Sequence, residues 1–406
     1  MSTQFHCPYR QSALLQQALA PDKMRIAFLL GAGCPVSVRI PDGDGTKPLI
    51  PDIRGLTGLV NETLSKSKIL KSKYAVLLER FKSGAPANPT IEDILSHIRA
   101  LQDVVRDGNI DGLDKATLFA LDAEICTITT SVVGVPLPES STPYHQLATW
   151  IGGIHRAHPI EIFTPNYDLL VEQAMEVHKI PYFDGFVGSK QAFFDLTSME
   201  NDSLPPRWSR LWKVHGSVNW WRTPNDEVVR REGFSAGDRQ MIYPSHLKYD
   251  QSRRMPYLAM LDRLREFLAR GQAVLVTCGY SYTDQHLNEV ILHGLRSNPT
   301  AICFGLVYGV RSGYADALTK ARMHPNLSVL ASDGAVLGTV ERDWRADEQT
   351  GHPMHGVSVI KKDLTPGNPV TSINCEFLLG DFKHFGNFLA QQLFRSDNEP
   401  VVIDGA

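Results

Sequence analysis

The chain has 406 residues, of which 43% are hydrophobic and 21% charged, ordinary proportions for a globular protein that can bury a sizeable core. Its net charge of -3 argues against binding nucleic acid through bulk positive charge. The six cysteines (Cys7, Cys34, Cys126, Cys278, Cys303 and Cys375) form no C-x-x-C pair, which argues against a zinc ribbon or a thioredoxin-like motif. No basic-then-apolar leader opens the chain, and no apolar run approaches the ~20 residues that span a bilayer. The expectation is a cytoplasmic, reduced protein with no membrane contact.

In chain order, QSALLQQALA carries a short helical pattern, and RIAFLL (Arg25 to Leu30) reads as a buried parallel strand opening into the tight turn Gly31-Ala32-Gly33. A Pro-, Gly- and Asp-rich loop follows from Pro41 to Gly55. From about residue 56 the signal is helical, clearest in IEDILSHIRALQDVV, with Pro89-Thr90 as its start. IEIF (Ile160 to Phe163) reads as a strand that runs into TPNYD and a helix. LWKV (Leu211 to Val214) is a further strand candidate. A helix is expected over Pro256 to Arg270, then a strand at AVLVT (Ala273 to Thr277), a loop, a helix and another strand at TAICFGLVY. Strands separated by helices predict an α/β, Rossmann-like, doubly wound parallel sheet. The expected division is a domain over 1–310, with a helical insertion at about 56–150, and a partly β appendage over 311–406. The acidic tail SDNEPVVIDGA reads either as a frayed end or as a contact arm.

Four polar strings fall just past predicted strands, the edge where an open parallel sheet collects ligands. Gly31-Ala32-Gly33 suits close approach of backbone N–H groups to a pyrophosphate, or simply a tight turn. Thr164 to Asp168 brings Asn166 and Asp168, the latter equally readable as a helix cap. His215-Gly216-Ser217 offers a lone histidine, whose ordinary pKa near neutrality suits acid–base work. Gly279-Tyr280-Ser281, with Asp284 and His286 nearby, reads as a site or as a capped turn.

Taken in order, these strings resemble the sirtuin family. Gly31-Ala32-Gly33, with Ser37 and Ile40-Pro41-Asp42, is similar to its phosphate loop, and Thr164 to Asp168 to its T-Q-N-I-D motif. His215-Gly216-Ser217 is similar to its HGS, and Gly279-Tyr280-Ser281 to its G-T-S. The resemblance runs from about residue 24 to about 300. It implies NAD+ as substrate, with Gly31, Ala32 and Gly33 at the pyrophosphate and Ser281 near the adenosine ribose. It further implies that Asn166 positions the water or ribose, Asp168 holds the carboxamide and His215 is a general base. Asp42 fits the family's Pro-Asp signature by spacing, whereas Asp52 fits it by letters, in Pro51-Asp52-Ile53-Arg54-Gly55. Both stay candidates for the nicotinamide end. Pro165 stands where the family has Gln. No cysteine lies between Cys126 and Cys278, so the four-Cys zinc module of sirtuin deacylases is absent and no zinc is expected.

The zinc-free pattern with TPNYD, KVHGS and GYSYTDQHLN is most similar to bacterial sirtuin-like proteins of antiphage defence, which cleave NAD+. A chain of this size resembles the sirtuin-like subunit that assembles with a HerA-type translocase ATPase. The implied function is an NAD+ hydrolase acting as an antiviral effector, homo-oligomeric and gated by assembly or a partner. The alternatives are a zinc-free deacylase or ADP-ribosyltransferase, and a sensor of NAD or ADP-ribose without turnover.

Overall fold

RIAFLL forms the strand Arg25–Leu30 in the interior of a nine-stranded sheet. The computed structural model describes residues 5–20, 24–82, 86, 88–105, 108–201, 204–233, 238–242, 256–346, 352–361 and 373–394. The acidic tail lies outside them.

Across the sheet the strands run Val340–Asp343, Gly334–Leu337, Leu327–Leu330, Ala301–Leu306, Ala273–Cys278, Arg25–Leu30, Glu161–Thr164, Ser209–Lys213 and Tyr182–Phe183. All neighbours are parallel except the pairings made by Gly334–Leu337, which are antiparallel. The fold is therefore α/β with a mostly parallel central sheet. Arg25–Leu30 pairs on one side with Glu161–Thr164 and on the other with Ala273–Cys278. Successive strands thus leave it in opposite directions, which makes its carboxyl end a topological switch point.

Both faces of the sheet are covered, as its continuous apolar strands require. Ile26, Phe28 and Leu30 point into one core, while Ala27 and Leu29 point into the other. On the first face, Trp150 meets Phe28 edge-on at 5.6 Å and Phe385 lies 6.0 Å from it. On the second, Phe163 packs on Phe267 at 6.2 Å. Each such buried side chain contributes about 1.5–3 kcal/mol.

Between Arg25–Leu30 and Glu161–Thr164 lie the expected helices: Ile53–Lys66, Lys71–Lys82, Ile91–Val104, Lys115–Val133 and Pro143–Gly153. Thr90 and Asp93 close a capping box at the start of Ile91–Val104. Lys115–Val133, at 19 residues, is long and apolar enough to cross a membrane, contrary to the sequence expectation. Here its Leu118, Leu121 and Ile125 are fully buried in the first core.

The chain after residue 310 is not set apart as an appendage. Leu327–Leu330 continues the central sheet beside Ala301–Leu306, and the Phe382–Phe394 helix packs against Pro143–Gly153, with Gln392 accepting from the Trp150 indole N–H at 3.2 Å. A separate five-stranded sheet, containing Gly216–Arg222, stands beside the main one.

Candidate active site

The sheet order places the ends of Ala273–Cys278, Arg25–Leu30, Glu161–Thr164 and Ser209–Lys213 side by side. All four polar strings therefore converge. Between them and the helical insertion lies a pocket of about 190 Å3. Its wall includes Ala32, Glu92, Asn166, Tyr167, Asp168, His215, Gly279, Ser281 and Asp284. The described lining carries three carboxyl groups and one imidazole, but no lysine or arginine.

The two glycines of the first turn take the tight-turn role that the sequence offered as one of two readings. The Gly31 N–H donates to the Cys278 carbonyl and the Gly33 N–H to the Gly279 carbonyl, both at 2.9 Å. Those donors are thus engaged within the protein rather than presented to a pyrophosphate. A Cβ at Gly31 would lie 2.4 Å from the Gly279 oxygen, and one at Gly33 would lie 2.7 Å from the Gly279 Cα. Glycine is needed because two strand-end turns press together there. Gly279 itself has φ +64°, and a Cβ on it would meet the Cys34 nitrogen at 2.5 Å.

Asn166 lines the pocket and donates from Nδ2 to the Gly31 carbonyl at 3.1 Å, tying two strand ends together. Asp168 is buried, and its Oδ1 accepts the Leu170 N–H at 3.0 Å just before the next helix, whose N-cap position is Leu169 rather than Asp168. Burial pushes its carboxyl up to about 6 against the opposing charge of Lys213.

His215 is buried, with Nε2 3.0 Å from Asp284 Oδ2. Asp284 also caps the Gln285–Ser297 helix, accepting from the Leu287 N–H at 3.0 Å. Burial alone would lower the His215 pKa. The hydrogen bond and charge of Asp284, joined by the charge of Glu92, outweigh it and leave the pKa raised above the ordinary 6.5. Asp284 therefore acts on the histidine, a role its sequence position does not reveal.

The residues flanking His215 are structural. The Lys213 ammonium is buried and donates to the Asp168 carbonyl, to Glu172 Oε1 at 3.0 Å and to the Ser217 hydroxyl at 2.8 Å. It anchors the Thr164–Asp168 loop from beneath. Gly216 has φ +95°, and any Cβ there would fall 2.0 Å from the Met241 oxygen.

Ser281 is exposed at the pocket wall, its hydroxyl 2.8 Å from that of Thr283. Its neighbour Tyr282 is fully buried at φ +62°, a strained backbone for a bulky residue, held by the Thr277 hydroxyl at 3.0 Å.

The remaining candidates are not brought into the pocket. Ser37 Oγ donates to the Cys34 carbonyl at 2.9 Å and is not part of the wall. Asp42 sits on an exposed hairpin, 3.1 Å from the Lys47 ammonium. Asp52 caps the Ile53–Lys66 helix by accepting the Gly55 N–H at 2.8 Å, while its neighbours Pro51 and Ile53 line the pocket. The second Pro-Asp string is thus the one beside the site. His286 is exposed in the first turn of Gln285–Ser297, outside the lining. No group of three or more His, Cys, Asp or Glu that could hold a metal occurs among the described residues.

Two functional candidates were not singled out in the sequence. Glu92, from the helical insertion, accepts the Tyr167 hydroxyl at 2.6 Å, and both line the pocket. The available signal was Thr90-x-x-Asp93: a helix start already capped leaves its other acid without a capping task.

No curated protein sequence matches the chain. Among solved structures it is similar to a Sir2 homologue–NAD complex, at 15% identity and TM-score 0.35 over 78% of this chain and 91% of that one. It is also similar to a Sir2 structure described in work on the mechanism and regulation of these enzymes, at 10% identity and TM-score 0.34 over 75% and 85%. An ADP-ribose complex of a Sir2 homologue variant gives 13% identity and TM-score 0.33 over 75% and 88%. Residues 160–307, which supply three of the four converging strand ends, match the model of the SIR2-like domain.

Proposed function

We propose that the chain is an NAD+ glycohydrolase, releasing nicotinamide and ADP-ribose. One observation carries this reading: a pocket at the switch point is walled by Glu92, Asp168, Asp284 and His215, with no lysine or arginine among the described lining residues. NAD+ brings a positive pyridinium. As the bond from C1′ to that ring breaks, the pair of electrons leaves with neutral nicotinamide and positive charge gathers on the ribose. Fixed carboxylates around that position favour the charge more in the transition state than in water, the arrangement that speeds such a step. Departure needs little acid catalysis, which suits a site rich in acceptors. Asn166 and the His215–Asp284 pair line the same pocket, which suits them to orient ribose hydroxyls or water. The SIR2-like match over 160–307 supports the choice of NAD+ among cationic nucleotides.

On the resemblance of TPNYD, KVHGS and GYSYTDQHLN, we extend the proposal to a cytoplasmic antiphage effector, homo-oligomeric and gated by assembly or by a HerA-type ATPase. The test of the chemistry is direct. Purified chain is incubated with NAD+, with and without an acylated peptide, and nicotinamide and ADP-ribose are followed. Release of both without peptide is expected. Nicotinamide release only with peptide would make it a deacylase, and binding without turnover would make it a sensor.

A further inference from the structure

Burying a carboxyl group beside others is costly unless something uses it. Glu92 is the second residue of Ile91–Val104, a helix whose start is already satisfied. Asp93 accepts from the Thr90 N–H at 2.8 Å, and the Ile91 N–H donates to the Thr57 hydroxyl at 2.9 Å. These bonds fix the helix start and aim Glu92 across the pocket. There Oε1 accepts the Tyr167 hydroxyl at 2.6 Å, and Oε2 has no donor among the described residues. The pocket thus presents one carboxylate oxygen with an unused lone pair, on the wall contributed by the insertion. His215 is committed differently, since its Nε2 lies 3.0 Å from Asp284.

The geometry points to Glu92 as the general base that takes the proton from the attacking water. The inference rests on the hydrolase reading and divides the labour within it. Water oxygen forms its bond to C1′ as the bond to nicotinamide breaks. The water proton passes to Glu92 Oε2 and then to solvent, while protonated His215, held by Asp284, hydrogen-bonds the ribose. The charged groups around Glu92 are His215, Asp284 and Asp93, with the Tyr167 phenol. Burial and the two aspartates hold its pKa up, while His215 and the Tyr167 hydrogen bond pull it down, and the net is above the ordinary 4.5. The charge of protonated His215 favours the ionised form that a base needs.

The test uses the full chain with Glu92→Gln and Tyr167→Phe. Glu92→Gln is expected to lower kcat for NAD+ hydrolysis roughly 100-fold or more, with NAD+ affinity changed by no more than about threefold. The ascending limb of its pH–rate profile should vanish. In Glu92→Ala, added formate or azide should restore part of the rate, a rescue that a merely structural role would not show. Tyr167→Phe keeps the carboxylate but removes a bond that stabilises its ionised form, so the ascending limb should move to higher pH. Should Glu92→Gln fail to fold, the Tyr167→Phe profile decides. Wild-type hydrolysis in Glu92→Gln, or an unmoved limb in Tyr167→Phe, would overturn the assignment while leaving the hydrolase reading intact. A wild-type chain that never releases ADP-ribose would overturn both.

Discussion

At the scale of single residues, the His215–Asp284 pair makes the sharpest statement. Its raised pKa means that the imidazolium persists above pH 6.5 and is lost as pH climbs through the raised value. If protonated His215 holds the ribose, activity falls along that descending limb. Replacing Asp284 with Asn removes the hydrogen-bonded charge and lets burial dominate, so the limb should move to lower pH and kcat at pH 7.5 should drop about 10-fold or more. A pH–rate series on the variant checks this, and an unshifted limb would separate Asp284 from the chemistry. Asn166 makes a different prediction. Its Nδ2 bond to the Gly31 carbonyl is worth about 1 kcal/mol, so Asn166→Ala should remain folded. Its turnover should fall far more than its NAD+ affinity, which separate binding and rate measurements resolve. Sequence showed His215 and Asn166 because each follows an apolar run. It hid Glu92, because an acid in the first turn of a helix is ordinary dipole chemistry. It also could not choose between Asp42 and Asp52, since letters and spacing disagreed and only the fold shows which string abuts the pocket.

At the scale of elements, the site depends on how strand ends are braced. Lys213 sits at the end of its strand with Glu172, Ser217 and the Asp168 carbonyl around its ammonium. Lys213→Met leaves the Glu172 carboxylate buried without its partner, and about 3 kcal/mol of stability should be lost in urea unfolding. Adding Glu172→Leu should recover much of that loss, because an apolar pair avoids the stranded charge. Turnover should stay low in both, since the Thr164–Asp168 loop has lost its anchor. The strand cores were legible because buried parallel strands are unbroken apolar runs. Their order was not, because pairing partners lie far apart in sequence. The region after 310 misled for the same reason: LSVLAS looks alike whether it joins the main sheet or forms an appendage.

For the whole molecule, two expectations follow from how the chain is put together. All six cysteines are free, five of them buried, and none gathers with other ligands among the described residues. A chelator such as EDTA should therefore leave both NAD+ cleavage and the unfolding midpoint unchanged, and loss of activity together with stoichiometric zinc would contradict this. Assembly is the second. If oligomerisation gates the enzyme, light scattering should show a species larger than a monomer at micromolar concentration, with specific activity rising as it forms. Full activity in a strictly monomeric sample would assign the gate to a ligand or a separate protein.

The position of RIAFLL in the sheet also bears on how the protein is made. Leu29 pairs with Phe163 on one side and Thr277 on the other. This strand is therefore translated well before Ala273–Cys278, one of the two strands that cover its edges. Until Ala273–Cys278 is translated it exposes an unpaired, mostly apolar edge, the kind that recruits other nascent chains. Synthesis is the vulnerable period, and slower elongation or co-expressed chaperones should raise the soluble yield of this chain. A truncation ending before residue 270 should emerge aggregated.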